Sequence, residues 1–490
     1  MHPLLDLFEK NVAAAPTRVA FGDQSLVLDY RALRAVAAGL AQRIREAGSR
    51  SRVGIMAPTS SACGAAIFAC WYAGRTPVPL NFLLGPEELF KIIRDAGLDC
   101  VIAVDLFADK LKPTGLNVVP LNARTLTPGA VATPAAAPTD LAAVIYTSGT
   151  SGDPKGVCLS FDNIVQNARA SIEHARMTPD QVFLSAIPQF HSFGLTVGTV
   201  IPLVLGSSSW FVPRFTPAAV VGLIAEKKVS IFVAIASMFG ALAKMKTADP
   251  ALLASLALPI SGGEPLAPPV AEAFKRRFGL EIMEGYGMTE TSPILAVNMP
   301  WALRLGSVGR PLPGIEIKIV DTAGAELPTG EIGELVVRGH CVMQGYLGKP
   351  EATAAVLREG RLHTGDMGFI DSDGFIHLTG RAKEMLIVGG ENVFPGEIET
   401  ALCEHPAVAE AAVIGRDDAI RGEIPVAFVI LHENAEIQEQ ELRAYCREKL
   451  AGYKVPREIR ITRDLPRGPT GKILKRVLKA TPTPSSADRD

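Results

Sequence analysis

Residues Ile145 to Val157 read IYTSGTSGDPKGV, and the reading of this stretch decides what kind of fold surrounds it. Apolar residues lead into it as LAAVIYT (Leu141–Thr147), and GVCLSFDNIVQNARASIEHA follows. Taken as a strand, a glycine loop and a helix in that order, the stretch aims backbone N–H groups at an anion. Taken as a linker, it is one more solvated cluster of Gly, Ser and Thr. The Walker frame does not fit, because Gly149, Gly152 and Gly156 are spaced differently and Gly156, not Ser or Thr, follows Lys155. On its own the stretch leaves both readings open.

Outward from the loop, short apolar runs alternate with longer amphipathic ones as far as Trp301. RVGIMAP, RTPVPLN, DCVIAVD, QVFLSAIP, SSSWFVP, VSIFVAI, LPISGG and LEIMEGYG are strand candidates, and YRALRAVAAGLAQRIREAG and PPVAEAFKRRFG carry helical spacing. The alternation predicts an α/β fold of mostly parallel sheets covered by helices, with ligands bound beyond the carboxyl ends of the strands. The loop at Thr147 and GYGMTE at Gly285 are both expected at such strand ends. After Trp301, GIEIKIVD, GEIGELVVRG and GFIDSDGFIHLTG alternate with period two, which predicts a small antiparallel β region over about 301–380 with a hairpin turn at Asp371–Gly374. The expected organisation is an N-terminal domain over 1–380, a small α+β domain over 381–480, and a disordered tail over 481–490.

Composition excludes several classes. The 490 residues are 48% hydrophobic and 20% charged, enough for a large core and roughly two to four domains. A formal net charge of −2 gives no field that would attract nucleic acid. Seven scattered cysteines without a C-x-x-C pair suit a reducing cytoplasm better than a disulfide framework or zinc site. MHPLLDLFEKN has no basic segment and no long apolar run, so no signal peptide is expected. Val182 to Pro213 contains no Asp, Glu, Lys or Arg, yet Pro188, His191, Pro202 and GSSS interrupt it. That predicts a buried strand–helix–strand, not a membrane span.

Further stretches have to be weighed together. IPQFHSFG sets His191 between aromatics. SGGEPL carries Gly263, Glu264 and Pro265 at a strand end. EGYGMTETSP, with Gly285, Tyr286, Gly287, Thr289 and Glu290, reads as a tight turn into a helix capped by Thr289. LHTGD ends at Asp366, TGRAKEMLIVGGENVFPGEIE follows from Thr379, and PRGPTGKILK holds Lys472 in a second glycine loop. Each has a bland reading, as core histidine, turn, cap or linker. In this order, along nearly the whole chain, they resemble the adenylate-forming superfamily of acyl-CoA synthetases, luciferases and nonribosomal-peptide adenylation domains. GSVGRPLPGIEIKIVD, MQGYLGKPEAT and GENVFPGEIE are most similar to fatty-acyl-CoA synthetases.

The resemblance implies a large N-terminal domain that includes a distorted antiparallel β-barrel, and a mobile C-terminal domain. It implies ATP, Mg2+ and coenzyme A as cofactors. Thr147, Ser148, Gly149, Thr150, Ser151, Gly152 and Lys155 would cradle pyrophosphate. Glu290 would hold Mg2+, Thr289 the α-phosphate, and Tyr286 the adenine, with Gly263–Glu264–Pro265 against the base's other side. Asp366 would accept both ribose hydroxyls, with Arg381 reaching the ribose or phosphate. Lys472 would be the catalytic lysine, and Lys383 the hinge that later brings VGGENV, with Gly389 and Gly390, to the site for thioester formation. His191 would line the acyl site. Departures are slight: Ser151 replaces a second Thr, His363 stands where an aromatic is common, and PRGPTGK varies its motif.

The leading expectation is a ligase that turns an acid and ATP into acyl-AMP and then a CoA thioester. The alternatives are an acyl-AMP ligase or acyl-acyl-carrier-protein synthetase, suggested by GYGMTETSPILAVNMP, and a nucleotide-binding module without catalysis. The apolar stretches around His191 and FVAIASMFGALAKM point to a hydrophobic acid, medium- or long-chain fatty first and aromatic second. An acyl carrier protein, peripheral membrane contact and the oligomeric state are left open.

Overall fold

The computed structural model describes residues 3–129, 141–147, 154–245, 249–418, 420–467 and 473–480. The chain divides into two compact units. The first holds Met1–Leu266, Val270–Ile317 and Val337–His363; the second holds Ala267–Pro269, Lys318–Val336 and Thr364–Asp490.

A nine-stranded sheet organises the first unit. Its parallel centre runs Val19–Gly22, Ser208–Phe211, Val182–Ser185, Ile231–Ala234, Leu258–Ser261, Met283–Gly287, and antiparallel strands close both edges. Period two sorts the side chains. Leu184, Trp210 and Phe232 turn to one core, where Phe239 and Phe274 of helices Ala236–Ala243 and Pro268–Phe278 meet them. Phe211 packs instead against Phe21, with ring centroids 5.5 Å apart. The charge-free Val182–Pro213 is indeed strand, helix and strand. Its helical part runs from Ser192–Leu195 through a π-helical turn at Thr196–Val200 into Ile201–Leu205. These three helical pieces are almost wholly buried, which accounts for the missing charges. Among the described residues no helix is long and apolar enough to cross a membrane. A second sheet, all parallel, orders Thr76–Pro79, Arg52–Met56, Cys100–Ala103 and Asn117–Pro120.

The opening stretch is corrected by a third, three-stranded sheet. Leu141–Thr147 pairs antiparallel with Lys155–Ser160, which pairs in turn with Gly345–Tyr346. The order is therefore strand, loop, strand. The helix Phe161–His174 begins only after Ser160, whose hydroxyl accepts from Asn163 N while the Asn163 side chain accepts from Ser160 N. That reciprocal cap marks the true helix start. Thr147 faces Lys155 across a hairpin, so the loop is not the end of a parallel strand feeding a helix. Ser148, Gly149, Thr150, Ser151 and Gly152 lie outside the described residues, as do Lys472, 130–140 and the tail 481–490.

In the second unit, residues 366–370 pair antiparallel with Ile376–Arg381, and Asp371 Oδ1 accepts from Asp373 N and Phe375 N to close the turn. Farther on, Val408–Asp418 and Gly422–Leu431 form a long antiparallel pair, Glu458–Ile461 adds a parallel strand, and Leu386–Val388 and Glu391–Val393 complete the sheet. Helices Pro395–Cys403 and Glu439–Lys449 place Ile398, Leu402, Leu442 and Cys446 in its core. Gly389 and Gly390, at φ 63° and 89°, form a two-residue turn that needs positive φ at both positions.

Lys475 opens the last helix, Lys475–Ala480, and its Nζ lies 2.9 Å from both Glu384 Oε2 and Glu399 Oε1. Burial works against the ammonium, but the Glu399 and Glu384 carboxylates outweigh it and hold Lys475 above the ordinary lysine range. Lys475→Met leaves both carboxylates without that partner. We expect a stability loss of about 2 kcal/mol, between the values for exposed and fully buried pairs, read as a lower urea midpoint of the full chain. Lys475→Arg should lose less, and an unchanged midpoint for the Met variant would refute the clamp.

Candidate functional site

In the first unit the residues singled out by sequence gather on a turn that follows Met283–Gly287. Gly287 pairs with Ile294 across an antiparallel partner, and a Cβ at Gly287 would stand 1.8 Å from Pro293 O. Only glycine permits that closure. Met288 N donates to Pro293 O at 3.0 Å, and Thr291 Oγ1 donates to the same oxygen at 2.8 Å. Thr289 does not cap a helix, as the sequence reading had it. It is the first residue of a single 3-10 turn, Thr289–Thr291, with Met288 before it. The Pro293 that locks the turn also stops it from growing.

The turn buries Thr289 and Glu290 at 6% and 8% exposure. Thr289 Oγ1 lies 3.1 Å from Ser192 Oγ, and the main chain of Glu290 accepts from Met343 N at 2.9 Å. Glu290 Oε1 accepts from Tyr346 Oη at 2.8 Å. Lys155 is at this cluster too, with Nζ 5.1 Å from the Tyr346 ring centroid. Burial, the Glu290 charge and its hydrogen bond hold the Tyr346 phenol well above the ordinary tyrosine range. The phenol is thus a neutral donor at any working pH.

The remaining first-unit residues are set around these strands. Tyr286 is half-buried, opposite Ala296. Gly263 has φ 85° just past Leu258–Ser261, and Glu264 Oε1 accepts from Ser237 N at 2.8 Å, which ties that strand end to helix Ala236–Ala243. His191 precedes Ser192–Leu195, where its Nδ1 accepts from Phe193 N at 3.3 Å. Phe190 beside it meets Phe82 edge-on at 5.4 Å.

Within the second unit Asp366 and Arg381 face each other across a hairpin, with Arg381 Nε 2.9 Å from Asp366 Oδ1. Asp366 is buried, while Arg381 is largely exposed. Thr364 Oγ1 accepts from Asp366 N at 3.0 Å and donates to Leu335 O at 2.8 Å. Lys383 is exposed in the 3-10 turn Ala382–Glu384 that follows this strand.

Among the described residues no group of three or more His, Cys, Asp or Glu could enclose a metal. Glu290, one buried carboxylate with an oxygen already fixed by a phenol, instead suits Mg2+, which takes one or two carboxylates and completes its shell with phosphate oxygens and water. Sequence reasoning missed Tyr346, Ser192 and Glu284 as parts of this cluster and its strand. MQGYLGKPEAT was noticed as wording, but nothing in one sequence pairs residue 346 with residue 290.

Comparison with known proteins adds a family to this geometry. A model described as AMP-binding enzyme matches residues 8–347, and one described as AMP-binding enzyme C-terminal domain matches residues 397–472. A feruloyl-CoA synthase of Amycolatopsis is 35% identical over 94% of this chain and 95% of its own length. A long-chain-fatty-acid–CoA ligase of Escherichia coli O6:H1 is 32% identical over 97% of this chain and 94% of that protein. The crystal structure of ATP-bound MatB from Rhodopseudomonas palustris superposes with a TM-score of 0.90 at 31% identity, covering 97% of this chain and 98% of MatB.

Glu284, on the strand that leads to Tyr286, adds a pH dependence. Burial pushes its carboxyl up to about 7, although Leu266 N donates to its Oε1 at 3.0 Å and acts the other way. Between the ordinary value of 4.5 and about 7, the folded chain holds a proton that the unfolded chain has lost. Stability from this group is therefore complete at low pH and falls as pH rises through that window. At roughly 1.4 kcal/mol per tenfold step in proton affinity, the fall is on the order of 3 kcal/mol. Urea unfolding of Glu284→Gln between those pH values should show that component removed.

Proposed function

The chain belongs to the AMP-binding enzymes and is an ATP-dependent, AMP-forming acid–CoA ligase using Mg2+, and we propose that its acid is a hydrophobic carboxylate, a medium- or long-chain fatty acid. The observation that carries the proposal is the charge-free segment Val182–Pro213, whose helical part starts at Ser192, just after His191, and touches the phosphate-side turn through Ser192. A second carboxylate or an ammonium on the acid would meet no Asp, Glu, Lys or Arg in that segment. An aromatic acid is the second reading, favoured by the likeness to a feruloyl-CoA synthase.

The residues take the following roles. The acid's oxygen attacks the α-phosphorus of ATP, and the bond to the β-phosphate breaks. Thr147, Ser148, Gly149, Thr150, Ser151, Gly152 and Lys155 receive the departing pyrophosphate through hydroxyls, N–H groups and one ammonium. Glu290 would hold Mg2+, which supplies positive charge to the phosphate oxygens. Thr289 donates to the α-phosphate. Tyr286 stacks on adenine and the Gly263–Pro265 strand end closes its other side. Asp366 accepts from the ribose hydroxyls, with Arg381 fixing one of its oxygens. Lys472 bridges the attacking carboxylate and the α-phosphate and stabilises developing charge without changing protonation. In the second half the CoA sulfur attacks the acyl carbon, the thiol loses its proton, and AMP leaves with the acyl oxygen. We assign Lys383 as the hinge and Gly389–Gly390 as the turn presented in that half.

Two measurements test this. A panel of acids in a CoA-dependent AMP-release assay should favour C8 to C18 fatty acids over acetate and amino acids; preference for a small or charged acid refutes the substrate proposal, and preference for a cinnamic acid selects the second reading. Lys472→Ala should lower acid-dependent ATP–pyrophosphate exchange by about 100-fold or more, the scale of one lost transition-state donor, while nucleotide still binds. Exchange at the unmodified rate would remove Lys472 from the reaction. Replacing CoA with an acyl carrier protein in the same assay separates the ligase from the carrier-protein synthetase.

A further inference from the structure

Tyr346 touches two of the residues assigned above, yet the reaction as described gives it no part. Its backbone is fixed from three sides. The short strand Gly345–Tyr346 sits against Lys155–Ser160 with Tyr346 opposite Val157, Tyr346 N donates to Thr353 Oγ1 at 2.9 Å, and Leu347 N donates to Gly156 O at 2.7 Å. The segment before it holds Glu290 as well, through Met343 N on the Glu290 carbonyl at 2.9 Å. So the strand that carries the tyrosine is tied both to the chain that bears Lys155 and to the turn that bears Glu290. The side chain repeats the connection. Its O–H donates to Glu290 Oε1 at 2.8 Å, and its ring takes the Lys155 ammonium 5.1 Å from the centroid.

A carboxylate hydrogen-bonded through one oxygen keeps one rotamer and presents its other oxygen in a fixed direction. A lysine engaged with a ring face keeps its full charge, whereas a lysine paired with that carboxylate would cancel the charge a metal needs. We propose that Tyr346 is a positioning residue for the nucleotide-bound divalent cation: its O–H orients Glu290, and its ring keeps Lys155 from pairing with that carboxylate. The proposal rests on Glu290 as the metal ligand, and the test separates the two.

The experiment uses the full chain with Tyr346→Phe, Tyr346→Leu and Glu290→Gln. Mn2+ replaces Mg2+, and free Mn2+ is counted by electron paramagnetic resonance with a non-hydrolysable ATP analogue present. ATP–pyrophosphate exchange is then followed against Mg2+ concentration. Tyr346→Phe keeps the ring and loses only the O–H, so Mn2+ binding in the ternary complex and the half-saturating Mg2+ should both weaken by about 10-fold, the scale of one hydrogen bond to a charged group. Exchange should recover its ordinary plateau at high Mg2+, with KM for the acid unchanged. Tyr346→Leu also frees Lys155 and should weaken Mn2+ further than Phe does. The proposal is overturned if Glu290→Gln weakens Mn2+ binding and Tyr346→Phe does not. It is also overturned if Tyr346→Phe lowers the plateau at an unchanged half-saturating Mg2+, which is what lost packing alone would do. If Glu290→Gln itself leaves Mn2+ binding intact, the assignment of Glu290 falls, and the tyrosine proposal with it.

Discussion

The turn from Gly287 to Pro293 is the constraint on which the first unit's polar chemistry depends. A carboxylate and a threonine hydroxyl can be buried only if the backbone carrying them is rigid and its own polar groups are paired. Gly287 lets the chain come back against Pro293, Met288 N and Thr291 Oγ1 close the loop on the Pro293 carbonyl, and Met343 takes the Glu290 carbonyl. With these main-chain groups paired, the side chains of Thr289 and Glu290 face partners from elsewhere: Ser192 on the apolar helix and Tyr346 on a strand paired with the Lys155 strand. A polar cluster assembled from four separate segments thus hangs on one glycine and one proline.

That dependence explains what could be read from sequence and what could not. Gly-Tyr-Gly and Ser-Pro are local backbone instructions, so the turn was legible from residues 285 to 293 alone. The length of the helix after it was not, because Thr-Glu-Thr also fits a capped helix and only the return onto Gly287 truncates it. The same holds at Ile145–Val157. An apolar run, a glycine loop and a second apolar run satisfy both a strand–helix and a hairpin pattern, and pairing with Gly345–Tyr346 decides for the hairpin. The parallel order of the large sheet was legible as strand and helix alternation, because each buried strand reads as a short apolar run. Tyr346, Ser192 and Lys475 were invisible for a different reason. Their partners lie 56, 97 and 91 residues away, and one sequence carries no sign of such a pairing.

Charge is handled differently in the two units. In the first, Glu290 and Lys155 are both partnered by a neutral phenol, so each retains its charge for a ligand. In the second, the Lys475 ammonium is taken up by two carboxylates, Glu384 and Glu399, an arrangement that builds structure and leaves no positive charge over. Arg381 and Asp366 fall between these cases: one carboxylate oxygen is taken by Nε, while the guanidinium remains largely exposed. A pair of that kind orients a carboxylate without burying the cation, at small desolvation cost.

The Lys475 clamp also bears on where a hinge can lie. It joins the last described helix to the 3-10 turn Ala382–Glu384 and to helix Pro395–Cys403, whose Glu399 in turn accepts from Val413 N. Glu384, Glu399, Val413 and Lys475 are therefore tied to one another at three points, and moving one of their segments against the others would break an ion pair or a hydrogen bond. Lys383, proposed above as the hinge, is exposed in its 3-10 turn and immediately precedes the first of these tied residues. On the function proposed above, the catalytic Lys472 lies three residues ahead of Lys475 in the sequence. On that proposal, a rotation at Lys383 would carry the clamped helix Lys475–Ala480 and the Gly389–Gly390 turn together.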